Sequence, residues 1–217
     1  MRLRNPRLEK CGITHYDEIM TKLLKILVSM VLSLGVVEAH AFVSPVSLAI
    51  VPGLQFPGSE FSVAGARISA LFGRQRDIYG LDLGVLGNIT DQEFIGVGIS
   101  GLFNITHGVT HVIGLQAAAG ANINTQKTSI YGLQLALVNS NTAESTIVGL
   151  GLAAVNNSPD MTVCGLQVGL YNKAQTVYGL QVGVVNVTKN LHGLQIGLVN
   201  FHETGIVSVS PIINIGF

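Results

Sequence analysis

The chain has 217 residues, room for one or two domains, and 48% of them are hydrophobic while only 11% are charged; a soluble domain usually carries about 25% charged residues. Twelve basic residues balance twelve acidic ones, which leaves no positive field to attract nucleic acid, so no nucleic-acid partner is expected.

Residues 1–19, with scattered charges and Pro6, precede a second candidate start at Met20 and read as a mis-assigned start or a cleaved extension. Residues 20–41 read as a signal peptide. Lys22 and Lys25 stand before an apolar run, Ile26 to Val37, that closes on Ala39-His40-Ala41, an A-x-A cleavage pattern set by Ala39 and Ala41. The run falls short of the ~20 residues of a transmembrane helix. The mature part, residues 42–217, keeps Cys164 but not Cys11, so neither an intrachain disulfide nor a cysteine metal site is expected.

Two apolar stretches come first, around Val46 to Val51 and from Phe61 to Phe72, and the charged turn Arg74-Gln75-Arg76-Asp77 follows. A repeat then fills about two thirds of the mature chain. It is plainest in Gly165-Leu-Gln-Val-Gly-Leu-Tyr-Asn172, Gly179-Leu-Gln-Val-Gly-Val-Val-Asn186 and Gly193-Leu-Gln-Ile-Gly-Leu-Val-Asn200, with looser copies from Gly80, Gly96, Gly114, Gly132 and Gly149.

Each copy alternates with period 2, which argues for a strand. One side carries Leu133, Leu135 and Leu137, then Leu166, Val168 and Leu170, Leu180, Val182 and Val184, and Leu194, Ile196 and Leu198. The other side is small, with Gln134, Gln167, Gln181 and Gln195 at its middle. Copies start 14 to 18 residues apart, which fits one strand of about ten residues plus a turn; strands of ~9–11 residues are what a bilayer requires. The linkers Asn139-Ser140-Asn141, Asn156 to Asp160, Asn172-Lys173-Ala174 and Lys189-Asn190 are rich in turn-forming residues.

The chain closes on a strand with Ile213, Ile215 and the terminal Phe217 on one apolar face. The mature chain offers no amphipathic helix to cover so many leucines, and a closed barrel in lipid requires no second layer. The expected fold is therefore all-β, an antiparallel meander forming a transmembrane β-barrel of ten or twelve strands, one per repeat. The Leu, Val and Ile positions named above, with Phe217, would face lipid. The four Gln side chains, with Arg67 and Asp82, would face the lumen. Most charges fall in presumed turns, and Tyr79, Tyr131, Tyr178 and His192 share the slot before the repeat Gly, where an aromatic girdle belongs.

These units, introduced by Phe72 to Gly84 and closed by Pro211-Ile-Ile-Asn-Ile-Gly-Phe217, resemble the bacterial GLQxGLxN surface-repeat family of outer-membrane proteins, found in spirochaetes, gut bacteria and predatory bacteria. The resemblance runs from about Ser44 to the end and implies no catalytic signature; the copies at Gly96, Gly114 and Gly149 depart from its pattern.

His107 and His111 have helical metal spacing but sit in strand-like sequence, the glycines open no helix, and Ser, His and acid form no triad. Asn88-Ile-Thr90, Asn104-Ile-Thr106 and Asn186-Val-Thr188 match a glycosylation triplet, but they read as the Asn that ends each strand. The expectation is a non-enzyme without a cofactor, located in the bacterial outer membrane. It would have a structural or lipid-interacting role, with outer-membrane lipids as partners, self-association into a homo-oligomer, and a narrow lumen that conducts few ions. Two alternatives stay open. One is a small diffusion porin lined by the Gln column. The other is a secreted or surface β-solenoid, one coil per repeat, with the Leu face as shared core and Asn139, Asn172, Asn186 and Asn200 stacked as a ladder.

Overall fold

The computed structural model describes residues 20–22, 24–25 and 43–217; the expected cleavage site at Ala39 and Ala41 lies outside them. Residues 20–22 and 24–25 are helical. The rest is built of strands: β1 (Val43–Val51), β2 (Leu54–Phe56), β3 (Ser62–Ser69), β4 (Phe72–Gly84), β5 (Gly87–Ser100), β6 (Phe103–Thr106), β7 (Val109–Ala118), β8 (Ala121–Asn124), β9 (Thr128–Asn141), β10 (Ser145–Asn157), β11 (Met161–Val168), β12 (Tyr171–Val182), β13 (Val185–His202) and β14 (Val209–Gly216).

Each repeat contains two extended segments rather than one. After Gly179-Leu-Gln-Val182 the chain turns at Gly183-Val184 and extends again through Val185-Asn186-Val187-Thr188, burying Asn186 and Thr188. It then turns at Lys189-Asn190 and begins the next unit. The two segments form the two walls of one coil, and successive coils stack in parallel. Gly149 pairs with Gly165, Gly165 with Gly179, and Gly179 with Gly193 on one wall. On the other wall Asn156 pairs with Asn172 and Asn172 with Asn186. Among the described residues the only antiparallel pairs are β1 with β2 and β13 with β14, which cap the two ends of the stack.

The fold is thus all-β but a β-solenoid, and the expected antiparallel meander barrel is corrected. A spacing of 14 to 18 residues holds one long strand and a turn, or two short strands and two turns. The stretches after each Asn, taken as turns, are the second wall: Asn139, Asn141 and Asn172 are buried strand residues. The drift in period is absorbed in the turns between units, as at Gln126-Lys127, where a long coil adds residues without disturbing the stack.

A column of apolar residues two positions before the repeat Gly, aliphatic except for Phe94, fills part of the interior: Val63, Ile78, Phe94, Val112, Ile130, Ile147, Val163, Val177 and Leu191. Stacked glycines let the coils approach. At Gly179, with φ +141°, an added Cβ would stand 2.1 Å from the carbonyl oxygen of Gly165, a contact no side chain tolerates.

Candidate functional site

The interior beside the apolar column is polar, and most of its carboxamides bond one another. From Asn88 through Asn104, Asn122, Asn139, Asn156, Asn172 and Asn186 to Asn200, each Nδ2 donates to the next Oδ1 at 2.7–3.1 Å. The ladder's Nδ2 groups also donate to backbone carbonyls, as Asn186 does to Ile196 at 3.0 Å. A second column of carboxamides lies on the facing wall: Gln134 donates to Gln116 at 2.9 Å, Gln181 to Gln167 at 2.7 Å and Gln195 to Gln181 at 2.8 Å. Primary amides suit this geometry because each has donor and acceptor at the spacing of stacked strands, ~4.8 Å.

Arg67 and Asp82 occupy the first two slots of the Gln column, joined by two hydrogen bonds of 2.7 Å and fully buried. All six residues expected around a lumen therefore point inward. They lie buried side by side between the two walls.

The residues expected to face lipid all lie on the outside. Leu133, Leu166, Leu180, Leu194, Val168 and Val182 are half-buried by their neighbours, while Leu135, Leu137, Leu170, Val184, Ile196, Leu198, Ile213, Ile215 and Phe217 are exposed. This also corrects the solenoid as first conceived, in which the Leu face was the core. Leu stands next to Gln along the strand, so when the amides turn inward to bond one another the leucines turn out.

The two turns of every coil differ in kind. One edge of the solenoid carries Leu71, Val85, Leu102, Leu137, Leu170, Val184 and Leu198, beside turn glycines such as Gly169 and Gly183. The opposite edge gathers Arg74, Arg76, Asp77, Asp91, Glu93, Lys127, Glu144, Asp160, Lys173, Lys189 and Glu203. Of the charged residues from position 43 onward, only Glu60 in the N-terminal cap and the buried Arg67–Asp82 pair lie elsewhere. Ion pairs link the charged edge, as between Arg74 and Asp91 at 2.9 Å.

Tyr79, Tyr131, Tyr178 and His192 share one column, between the charged edge and the leucines, with Ile95, Ile113, Val148 and Cys164, and the rings of Tyr178 and His192 stack at 4.7 Å. Burial, then the nearby Glu93 and Asp77 charges, raise the Tyr79 pKa, and its hydroxyl donates to Glu93 at 2.9 Å.

His107 is exposed on the charged edge, 3.6 Å from Asp91, and His111 lies within β7. Among the described residues no group of three or more His, Cys, Asp or Glu side chains is placed to hold a metal ion. The Asn of each Asn-x-Thr triplet is a rung of the ladder and is inaccessible to a modifying enzyme. Cys164 lies half-buried in β11. The second wall was missed in the sequence although its signal was present, since the Asn-x-Thr triplets are themselves short period-2 stretches.

Comparison with protein-family models, with curated proteins and with solved structures found no match to this chain.

Proposed function

We propose that the mature chain is an exported, non-enzymatic structural protein of the bacterial outer membrane that lies in lipid with its apolar edge inserted and its charged edge in water. The observation that carries this reading is the inverted polarity of the coil. In water a two-walled coil gains by burying Leu and exposing Gln and Asn, at about 25 cal/mol per Å² of apolar surface. Here the amides are inside and the leucines outside. An apolar face nine coils long, at ~4.8 Å per coil, spans about 40 Å, well beyond the patches usual on soluble monomers.

The order of residues across the wall matches the order of environments across a membrane surface: charges, then the Tyr and His column, then Leu, then the apolar turn. From Leu194 to Leu198 is four residue steps, about 13 Å at ~3.3 Å each, close to half of a ~30 Å hydrocarbon core. The solenoid would therefore occupy one leaflet. Inter-coil hydrogen bonds satisfy its backbone, as an apolar solvent demands.

Self-association fits the same reading. β14 is the terminal strand of the sheet, and its outer edge, beside Ile213, Ile215 and Phe217, is unpaired among the described residues. Such an edge in lipid favours pairing with a second copy.

Fractionation tests the proposal. The mature protein should stay with outer membranes through high-salt and carbonate washes and leave only with detergent, then migrate as an oligomer. A monodisperse monomer in detergent-free buffer would rule the proposal out.

A further inference from the structure

A polar recess of about 460 Å³ opens on the outer wall of the last three coils, beside the charged edge. Thr162, Thr176 and Asn190 line it, standing in register three positions before the repeat Gly, together with Tyr178 and His192, one position before it. Both rows face outward because Val177 and Leu191, which lie between them along the strand, point into the core. The recess therefore runs along the axis of the stack, across coils ~4.8 Å apart.

Its polar groups are open. The Thr162 and Tyr178 hydroxyls and the His192 ring nitrogens make no hydrogen bond among the described residues. Thr176 accepts from Asn190 at 3.4 Å and leaves its own proton unused. The Tyr178 and His192 rings stack within 9° of parallel, which holds the phenol oxygen and the ring nitrogens in fixed places. Farther back in the same column the Tyr79 hydroxyl is instead committed to Glu93. No carboxylate, lysine or arginine lines the recess; Asp160, Lys173 and Lys189 stand on the charged edge beyond it.

We propose that this recess is a binding site for a neutral oligosaccharide. Hydroxyl, amide and imidazole groups both donate and accept, as sugar hydroxyls do. A lining without carboxylate, ammonium or guanidinium gives no hold on a metal ion, a phosphate or an acidic chain, and its polar groups disfavour an apolar ligand. The ~4.8 Å step between coils is close to the step between sugars of an extended glycan, so successive sugars meet the successive rows that begin at Thr162, Thr176 and Asn190. The volume falls within the ~300–1,000 Å³ usual for ligand sites. The inference stands apart from the lipid reading, since the recess lies on the wall and not on the apolar edge.

Calorimetric titration of the purified protein, kept in a detergent without a sugar headgroup, tests the proposal. The probes are maltohexaose, cellohexaose, xylohexaose and N-acetylchitohexaose, with an acidic oligogalacturonate of the same length as the contrast. At least one neutral chain should bind and the acidic one should not. Thr162→Val and Tyr178→Phe each remove a hydroxyl that makes no hydrogen bond in the fold, so both should leave the unfolding midpoint in place. Together they should weaken binding about tenfold, the effect of two lost hydrogen bonds. Should the combined variant not fold, each single change gives the same answer through a smaller loss. No binding of any neutral chain at millimolar concentration, equal binding of the acidic chain, or unchanged affinity in the folded variants would overturn the proposal.

Discussion

Arg67 and Asp82 stand opposite each other on neighbouring coils, in the slots that Gln167 and Gln181 fill farther along, and a two-bond ion pair replaces the amide bond there. Arg67 also donates to the Ile89 carbonyl at 2.9 Å. Removing one partner of such a pair strands the other's charge in a dry interior, at a cost of about 3–5 kcal/mol. Asp82→Asn alone should therefore lower the unfolding free energy by that order. The double change Arg67→Gln, Asp82→Gln, which rebuilds the rung used elsewhere, should recover most of the loss. Denaturant unfolding of the three proteins checks this, and an additive double variant would contradict it.

The Asn ladder carries a second prediction. Asn172 accepts from Asn156 and donates to Asn186 and to the Val182 carbonyl. Asn172→Ala leaves buried groups on both neighbouring coils without partners, each worth about 1–3 kcal/mol. The exposed Asn157, one residue beyond the ladder on the same strand, should change stability by less than about 0.5 kcal/mol when replaced by Ala. Comparing the two unfolding midpoints separates a ladder from a row of turn residues.

The contrast between Asn172 and Asn157 also shows what could be read from the sequence. The division of each unit into a Leu side and a Gln side was legible, because period 2 is a local property of an extended chain. The recurrence of Asn was legible too. What one unit cannot reveal is whether its Asn ends a strand or bonds to the Asn of the next unit, since the same side chain suits a turn in isolation and a ladder when stacked. The triplets at Asn88, Asn104 and Asn186 held the missing information, a second alternating stretch inside each repeat. The placement of charges held more: in a meander they would divide between two rims, yet Lys127, Glu144, Lys173 and Lys189 all fall four to six residues before a repeat Gly.

A pH dependence follows from the C-terminal end. His202 Nε2 accepts a hydrogen bond from the Leu191 backbone N–H at 3.1 Å, and Thr204 lies 3.4 Å away. Burial, then the neighbouring His192, lower the His202 pKa from its ordinary 6.5. Protonation is therefore harder in the folded state than in the unfolded one. The associated stability is fully present above about pH 6.5 and is lost as pH falls through the folded-state value. The exposed Glu203 next to it favours the charged form and only moderates the effect. Thermal unfolding should lose stability between neutral and mildly acidic pH, and His202→Gln should flatten that part of the profile. An unchanged slope would show that the His202–Leu191 contact does not control it.

The chain contains no tryptophan, so a single introduced Trp reports its own surroundings. Leu198→Trp on the apolar edge and Lys189→Trp on the charged edge, each reconstituted in vesicles with acyl-brominated lipids, measure which edge lies in hydrocarbon. Insertion edge-first predicts blue-shifted, strongly quenched emission at position 198 and water-like, unquenched emission at position 189. Equal quenching at both positions, or none at either, would contradict it.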